Sequence, residues 1–179
     1  RAARGLLACN YMNESARELH FAMDLLEARG LEMDSPEAEA VAQAYVKDVI
    51  MHEVGHTLGF QHNFRSSGIY TLKQIQDPEF TKKAGLTGSV MDYTPFNISL
   101  KGERQGEYAM STLGPYDYWA VEYAYKEIDR ATEKEELARI ASRSSEPALA
   151  FANDEDAGYG NIAIGIDPDV NRFDLGADP

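Results

Sequence analysis

The stretch VIMHEVGHTLGFQHNF, Val49–Phe64, contains three histidines, one glutamate and two glycines, with a spacing set by His52, Glu53, His56, Gly59 and His62. Residues four apart on an α-helix share one face, so His52 and His56 can point at one metal ion. Glu53 lies about 100° further round, where it can reach a water on that metal without binding the metal itself. His62 requires the helix to end first, and Gly59 can take the left-handed conformation that turns the chain back.

This spacing predicts a catalytic zinc site. Three neutral imidazoles and one water form the open arrangement of such a site, whereas a structural site fills the fourth position with protein. We therefore expect His52, His56 and His62 to hold Zn²⁺, with Glu53 as general base. The alternative is a buried helix whose histidines only form hydrogen bonds. We favour the metal site, because the alternative leaves both the spacing and the helix-breaking glycine unexplained.

The pattern His-Glu-x-x-His-x-x-Gly-x-x-His at residues 52–62 resembles the metzincin signature. Downstream, Ser-Val-Met-Asp-Tyr followed by Thr-Pro resembles the Met-turn of that family. There a methionine forms an apolar floor beneath the metal, and in some branches a tyrosine two residues later reaches the zinc. Met91 and Tyr93 match those positions. A methionine before a turn is on its own more often plain core, and the zinc motif upstream is what favours the Met-turn.

The resemblance extends along most of the chain. His-Asn-Phe at 62–64, Gly-Pro-Tyr-Asp-Tyr-Trp-Ala at 114–120 and the closing Asp-Leu-Gly-Ala-Asp-Pro at 174–179 are similar to a family of large, mostly uncharacterised bacterial zinc-dependent metalloproteases. This resemblance implies a protease that hydrolyses peptide bonds and is secreted or periplasmic. The sequence itself carries no signal peptide.

Composition indicates a globular chain and limits its partners. A length of 179 residues and an apolar content of 44% are consistent with one domain spanning 1–179. Seventeen basic against thirty acidic residues give a net charge of −13, which repels nucleic acid and anionic membranes. No apolar run approaches the length of a membrane span. We expect a peptide or protein substrate, no nucleic acid partner and no membrane span.

Cys9 is the single cysteine, so no intrachain disulfide can form. We interpret it as a small buried hydrophobe within a short lead-in formed by residues 1–12. The chain begins at Arg1 without a methionine, and we interpret it as a piece of a longer protein whose remainder is a partner.

Two helices are expected in the first third of the chain. Asn13 is the candidate cap of a helix that runs to Arg29, with His20 on its surface. Ser35 and Pro36 start a second helix that carries the zinc motif to about Phe60. Its apolar residues occupy several faces and predict a central, buried helix: Val46, Ile50, Met51, Val54 and Leu58. One turn before His52, Asp48 could accept a hydrogen bond from a metal ligand, but we expect a solvated carboxylate.

The remaining chain is irregular, with short helices. Helical turns are expected at 70–76 and 78–84, a helix from Pro115 to 128 or 129, and another at 132–142. The aromatic residues of the 115 helix could form a substrate platform, but we favour packing against the zinc-binding helix. Residues 146–179 are expected to be an extended acidic tail, solvated and docked on the domain or on a part of the longer protein outside this chain. Calcium binding by oxygen ligands of this tail, Asp154 among them, is the alternative, although the calcium-loop pattern is not met.

The expected fold is mainly α: a metzincin-like catalytic core with a long active-site helix and a Met-turn. It lacks the N-terminal twisted sheet that pairs with bound peptide in metzincins, because nothing before Ser35 has the pattern of a strand.

The expected function is zinc-dependent endopeptidase activity. A metal-activated water attacks the peptide bond, with Glu53 as general base and Tyr93 as a fifth ligand or a donor to the oxyanion. The alternative is a non-catalytic metal-containing binding or scaffold module of a larger protein. Glu53 argues against that alternative, and the absent sheet argues for it.

Overall fold

A computed structural model describes residues 9–158 and 167–177 of the chain. Over these residues it is mainly helical and contains no β-strand, which confirms the mainly α class. The described α-helices are α1 (Tyr11–Ala28), α2 (Pro36–Thr57), α3 (Leu72–Ile75), α4 (Pro78–Ala84), α5 (Pro115–Tyr125) and α6 (Glu133–Ala141). Short 3₁₀ turns lie at Ser66–Ile69, Ser142–Ser145 and Pro147–Leu149. None of the described helices combines the length and apolarity needed to cross a membrane.

Helix α2 begins and ends through the residues expected to define it. The Ser35 hydroxyl accepts a hydrogen bond from the Ala38 N–H, and Pro36 occupies the first helical position, where a missing N–H costs nothing. The helix ends at Thr57, three residues before the expected end. Gly59 then takes a φ of +86°, the left-handed conformation that reverses the chain toward His62.

Helix α1 begins at Tyr11, so the prediction that residues 1–12 form a short lead-in is wrong for Tyr11 and Met12. Asn10, not Asn13, precedes the first turn, and its side chain makes no capping bond. The anchor is instead Tyr11, which is 1% exposed and donates from its hydroxyl to Asp48 Oδ2 at 3.0 Å. Burial of this ring fixes the start of α1 against α2.

Two apolar clusters form the core. The first contains Tyr11, Val49, Phe64, Tyr93, Ala152 and Val170, and it joins α1 and α2 to the downstream loops and the C-terminal segment. The second contains Ile75, Leu86, Val90, Met91 and Met110. Together they hold the segments before and after α2 against one side of that helix.

The prediction that α2 is apolar and buried on several sides is wrong. Four of its apolar residues are between 41% and 54% exposed: Val46, Ile50, Val54 and Leu58. In the part of the chain that the structure describes, no element covers this face. Periodicity identifies apolar faces, but it does not show whether another element packs on each of them.

The later helices lie near their expected positions, and α3 and α4 fall within the two expected helical turns. Helix α5 ends at Tyr125, three or four residues before the expected end, because the chain becomes extended at Lys126. Its Trp119 packs on α6, where Nε1 donates to the Ile140 carbonyl at 2.8 Å. The expected packing of this aromatic helix on α2 is therefore wrong for Trp119. Tyr125 does reach the end of α2, where its hydroxyl donates to the Leu58 carbonyl at 2.6 Å.

The C-terminal segment is docked, as expected, but it is not simply a solvated tail. Leu149, Ala152 and Val170 are buried. The Phe64 N–H donates to the Ala152 carbonyl at 2.8 Å, and this bond fixes the segment beside the loop after α2. Within 9–158 and 167–177, no three carboxylates of the segment converge as a cation site would require. The remaining residues of the tail, 159–166 and 178–179, lie outside the described residues.

Candidate metal centre

The structure brings the three motif histidines together. His52 and His56 lie one turn apart on α2, and His62 lies on the loop after Gly59. The Nε2 atoms of His56 and His62 are 3.2 Å apart. Together with Cys9 Sγ, the ligand atoms of these histidines all lie within 4.8 Å of one another.

Each imidazole is oriented by a hydrogen bond through its other nitrogen. The pairs are His52 Nδ1 with Val90 O at 2.8 Å, His56 Nδ1 with Phe60 O at 2.9 Å and His62 Nδ1 with Asp154 Oδ2 at 2.8 Å. Carbonyl and carboxylate oxygens only accept hydrogen bonds, so each Nδ1 must carry the proton. In the neutral ring, Nε2 then carries the lone pair, so each of the three imidazoles can offer Nε2 to a metal at the centre, as metal-binding histidines do.

The donor set fits a tetrahedral Zn²⁺. Zn–N bonds of about 2.0–2.1 Å imply distances of about 3.3–3.4 Å between ligand nitrogens. The observed 3.2 Å between His56 Nε2 and His62 Nε2 is close to that value. Burial, together with repulsion from His56, lowers the pKa of His52 to about 3, which keeps the ring neutral as a ligand must be.

Asp154 is a functional residue that the sequence analysis missed, since it was considered there only as a calcium ligand. Its carboxylate accepts the His62 Nδ1–H across 92 residues of chain. Burial is the largest single effect and lowers the pKa of His62, but the hydrogen bonds and charges of Asp154 and Cys9 together outweigh it, so the net pKa lies above its ordinary value. Burial is also the largest single effect on Asp154 and raises its pKa, but the bond to His62, the charge of His62 and further smaller effects together lower it below its ordinary value. No local pattern could have indicated this pair.

Cys9 is the second residue that was missed. Its sulfur lies 3.3 Å from His52 Nε2 and 3.4 Å from the Tyr93 hydroxyl. It also lies 3.6 Å from Glu53 Oε1, so the Glu53 carboxylate faces the same space. The interpretation of Cys9 as an inert buried hydrophobe is therefore wrong. The residue is half-buried and joins the histidine cluster from 43 residues away.

Tyr93 contacts the histidine cluster itself, and Met91 contacts the helix that carries two of its histidines. The Tyr93 hydroxyl accepts the Asn10 N–H at 3.1 Å, and its ring meets His62 edge-on with centroids 4.8 Å apart. Burial and the contact with Cys9 raise the pKa of Tyr93, so its hydroxyl stays protonated at neutral pH. Met91 packs directly against α2: a Cβ at Gly55 would lie 2.2 Å from Met91 Sδ.

Asp48 is buried on α2, one turn before His52, and is not the solvated carboxylate expected. It is 4% exposed, and its Oδ2 accepts bonds from Tyr11, Thr94 and the Met110 N–H. Burial raises the pKa of Asp48 to about 7, although these three bonds lower it. It contacts no ligand nitrogen, because His52 Nδ1 is bonded to a backbone carbonyl. Its role in the fold is to tie α1 and the segment after Tyr93 to α2.

A family model described as Met-zincin matches residues 34–179. The match covers most of the chain, including α2 and all three motif histidines, and the chain belongs to the Met-zincin family. Helix α1 and Cys9 precede the matched residues. No curated protein and no solved structure gives a significant match. Family and geometry together define a metalloprotease-like domain with a histidine cluster able to bind a metal.

Proposed function

We propose that this domain is a zinc-dependent endopeptidase, or the catalytic core of one. One observation carries the proposal: three imidazole Nε2 atoms, each oriented through a bonded Nδ1, converge beside the Glu53 carboxylate. Convergent histidines alone would serve any zinc site. A carboxylate that faces the fourth position without binding the metal is the additional part that hydrolysis requires.

In this mechanism His52, His56 and His62 hold the metal. When bound, Zn²⁺ supplies the Lewis acidity that lowers the pKa of a water toward neutrality. Glu53 would accept a proton from the water that attacks the peptide carbonyl and would then deliver that proton to the leaving amine. Tyr93 keeps its phenolic proton and donates a hydrogen bond to the developing oxyanion.

The finer family features belong to the same proposal. We assign α2 as the active-site helix and Met91 as the floor of a Met-turn, because Met91 Sδ contacts the turn of α2 that contains Gly55. The substrate is a peptide or protein. Secretion or periplasmic location rests on the family resemblance alone.

A second candidate is a non-catalytic metal-containing binding or scaffold module. The position of Cys9 favours it, because a thiol 3.3 Å from His52 Nε2 could fill the fourth position. Closed sites with four protein ligands are typical of structural zinc.

The test combines metal content with hydrolysis of a fluorogenic peptide library. We expect about one zinc per wild-type chain, loss of that zinc in His56→Ala, and retained zinc in Glu53→Gln. Glu53→Gln should lower the rate about 10²–10⁴-fold, the usual contribution of a general base. Glu37→Gln, an exposed change on the same helix, is the matched control. Zinc bound without hydrolysis, in both wild type and Cys9→Ala, would establish the non-catalytic module instead.

A further inference from the structure

The sulfur of Cys9 occupies the space that the proposed reaction needs. It lies 3.6 Å from Glu53 Oε1 and 3.4 Å from the Tyr93 hydroxyl. These are the groups that we assign to the attacking water and to the oxyanion. A water molecule and a substrate carbonyl cannot enter that space while the thiol fills it, since protein interiors are close-packed.

The same sulfur is placed as a metal ligand. Bonds of about 2.3 Å from zinc to sulfur and about 2.0–2.1 Å to nitrogen imply about 3.5–3.6 Å between sulfur and each ligand nitrogen. Cys9 Sγ is 3.3 Å from His52 Nε2. Because every ligand pair lies within 4.8 Å, the widest pair would close by up to about 1.2–1.5 Å on binding.

We propose that Cys9 binds the metal as a thiolate and closes its fourth position, so that this conformation is a latent form of the centre. Departure of Cys9 opens the position to water and substrate. This inference rests on the metal site of the proposed function, but it does not require that the site hydrolyses peptides.

The contacts around Cys9 show how it is held and how it can leave. The next residue donates its N–H to the Tyr93 hydroxyl at 3.1 Å, and Tyr11 is bonded to Asp48. None of the three hydrogen bonds that orient the histidines involves the segment of Cys9 and Asn10. A shift of that segment therefore removes the sulfur and leaves the three imidazoles in place.

The test is the absorption spectrum of the chain loaded with Co²⁺. Thiolate bound to Co²⁺ gives a near-ultraviolet charge-transfer band, and Cys9 is the only cysteine that can produce it. We expect this band in the wild type, at about one Co²⁺ per chain. Cys9→Ser should lose the band, retain Co²⁺ and bind zinc about tenfold or more weakly, because one of four protein ligands is lost. Asn10→Ala changes the same segment but keeps the thiol, and it should keep the band.

The outcomes separate this inference from the proposed function. Co²⁺ bound by the wild type without a thiolate band overturns the inference and leaves the histidine site standing, and this result needs no variant. No Co²⁺ in the folded wild type, with none in Cys9→Ser, overturns the metal site itself. The latent form also predicts faster peptide hydrolysis by Cys9→Ser than by wild type. Equal rates despite a wild-type band would overturn latency, and zinc-loaded Cys9→Ser without hydrolysis would overturn the peptidase proposal alone.

Discussion

Removal of Asp154 tests whether the C-terminal segment helps to build the metal centre. Its Oδ2 accepts the His62 Nδ1–H at 2.8 Å, in a bond that is charge-assisted and largely shielded from water. Asp154→Ala leaves that Nδ1 without its acceptor and frees the ring to rotate. Loss of such a partner typically lowers metal affinity about 10–100-fold, which corresponds to about 1.4–2.7 kcal/mol.

The assay is a zinc competition titration against a chromogenic chelator. Asp154→Asn should lose less affinity than Asp154→Ala, because an amide oxygen can still accept the bond but carries no charge. Glu155→Ala is the matched control: it removes the same charge from an exposed neighbour. If Asp154→Ala and Glu155→Ala bind zinc equally well, the His62–Asp154 bond does not position a metal ligand, and the reasoning is refuted.

Two further predictions concern Gly55 and Asp48, which are both buried on α2. In Gly55→Ala, overpacking against buried Met91 should lower the free energy of unfolding by about 1–3 kcal/mol. The higher helix propensity of alanine should offset about 1 kcal/mol of that loss. Urea unfolding should show no such loss for Gly68→Ala, where a Cβ meets open space, and equal effects would contradict the packing. Burial raises the pKa of Asp48 from 3.8 in the unfolded chain to about 7 in the folded one, so the protonated carboxyl stabilises the fold. This contribution to the free energy of unfolding is fully present below about pH 4 and is lost as the pH rises through about 7. The free energy of unfolding of Asp48→Asn should therefore rise, relative to that of wild type, by on the order of 4 kcal/mol between those pH values. If the unfolding free energies of the two proteins plotted against pH run parallel, the carboxyl is not buried as described.

The parts of the site that were predictable from sequence depend on neighbours along one helix. The spacing of His52 and His56 fixes their shared face, and Ser35 with Pro36 fixes where α2 begins. Gly59 supplies the positive φ that turns the chain toward His62. Each of these inferences needs only local geometry, and local geometry is what sequence spacing encodes.

The parts that were missed depend on contacts between distant segments. Cys9 meets His52 across 43 residues, and Asp154 meets His62 across 92. Asp48 was expected in solvent because charged residues usually are. Its burial follows from three donors in other segments, and only the assembled fold brings these to its Oδ2. Residue type and local spacing carry no information on such long-range contacts.

Holding the metal and admitting a substrate are opposed demands on one position of this centre. The sulfur of Cys9 lies within 3.6 Å of both Glu53 Oε1 and the Tyr93 hydroxyl, so the contact that would add a fourth ligand also excludes the attacking water. Loss of Cys9 should therefore weaken zinc binding while it speeds hydrolysis. Loss of Asp154 should weaken zinc binding without opening the fourth position, because its bond lies on the far side of the His62 ring from Nε2. Opposite effects on the rate at similarly reduced zinc affinity would separate the group that closes the centre from the group that only orients a ligand.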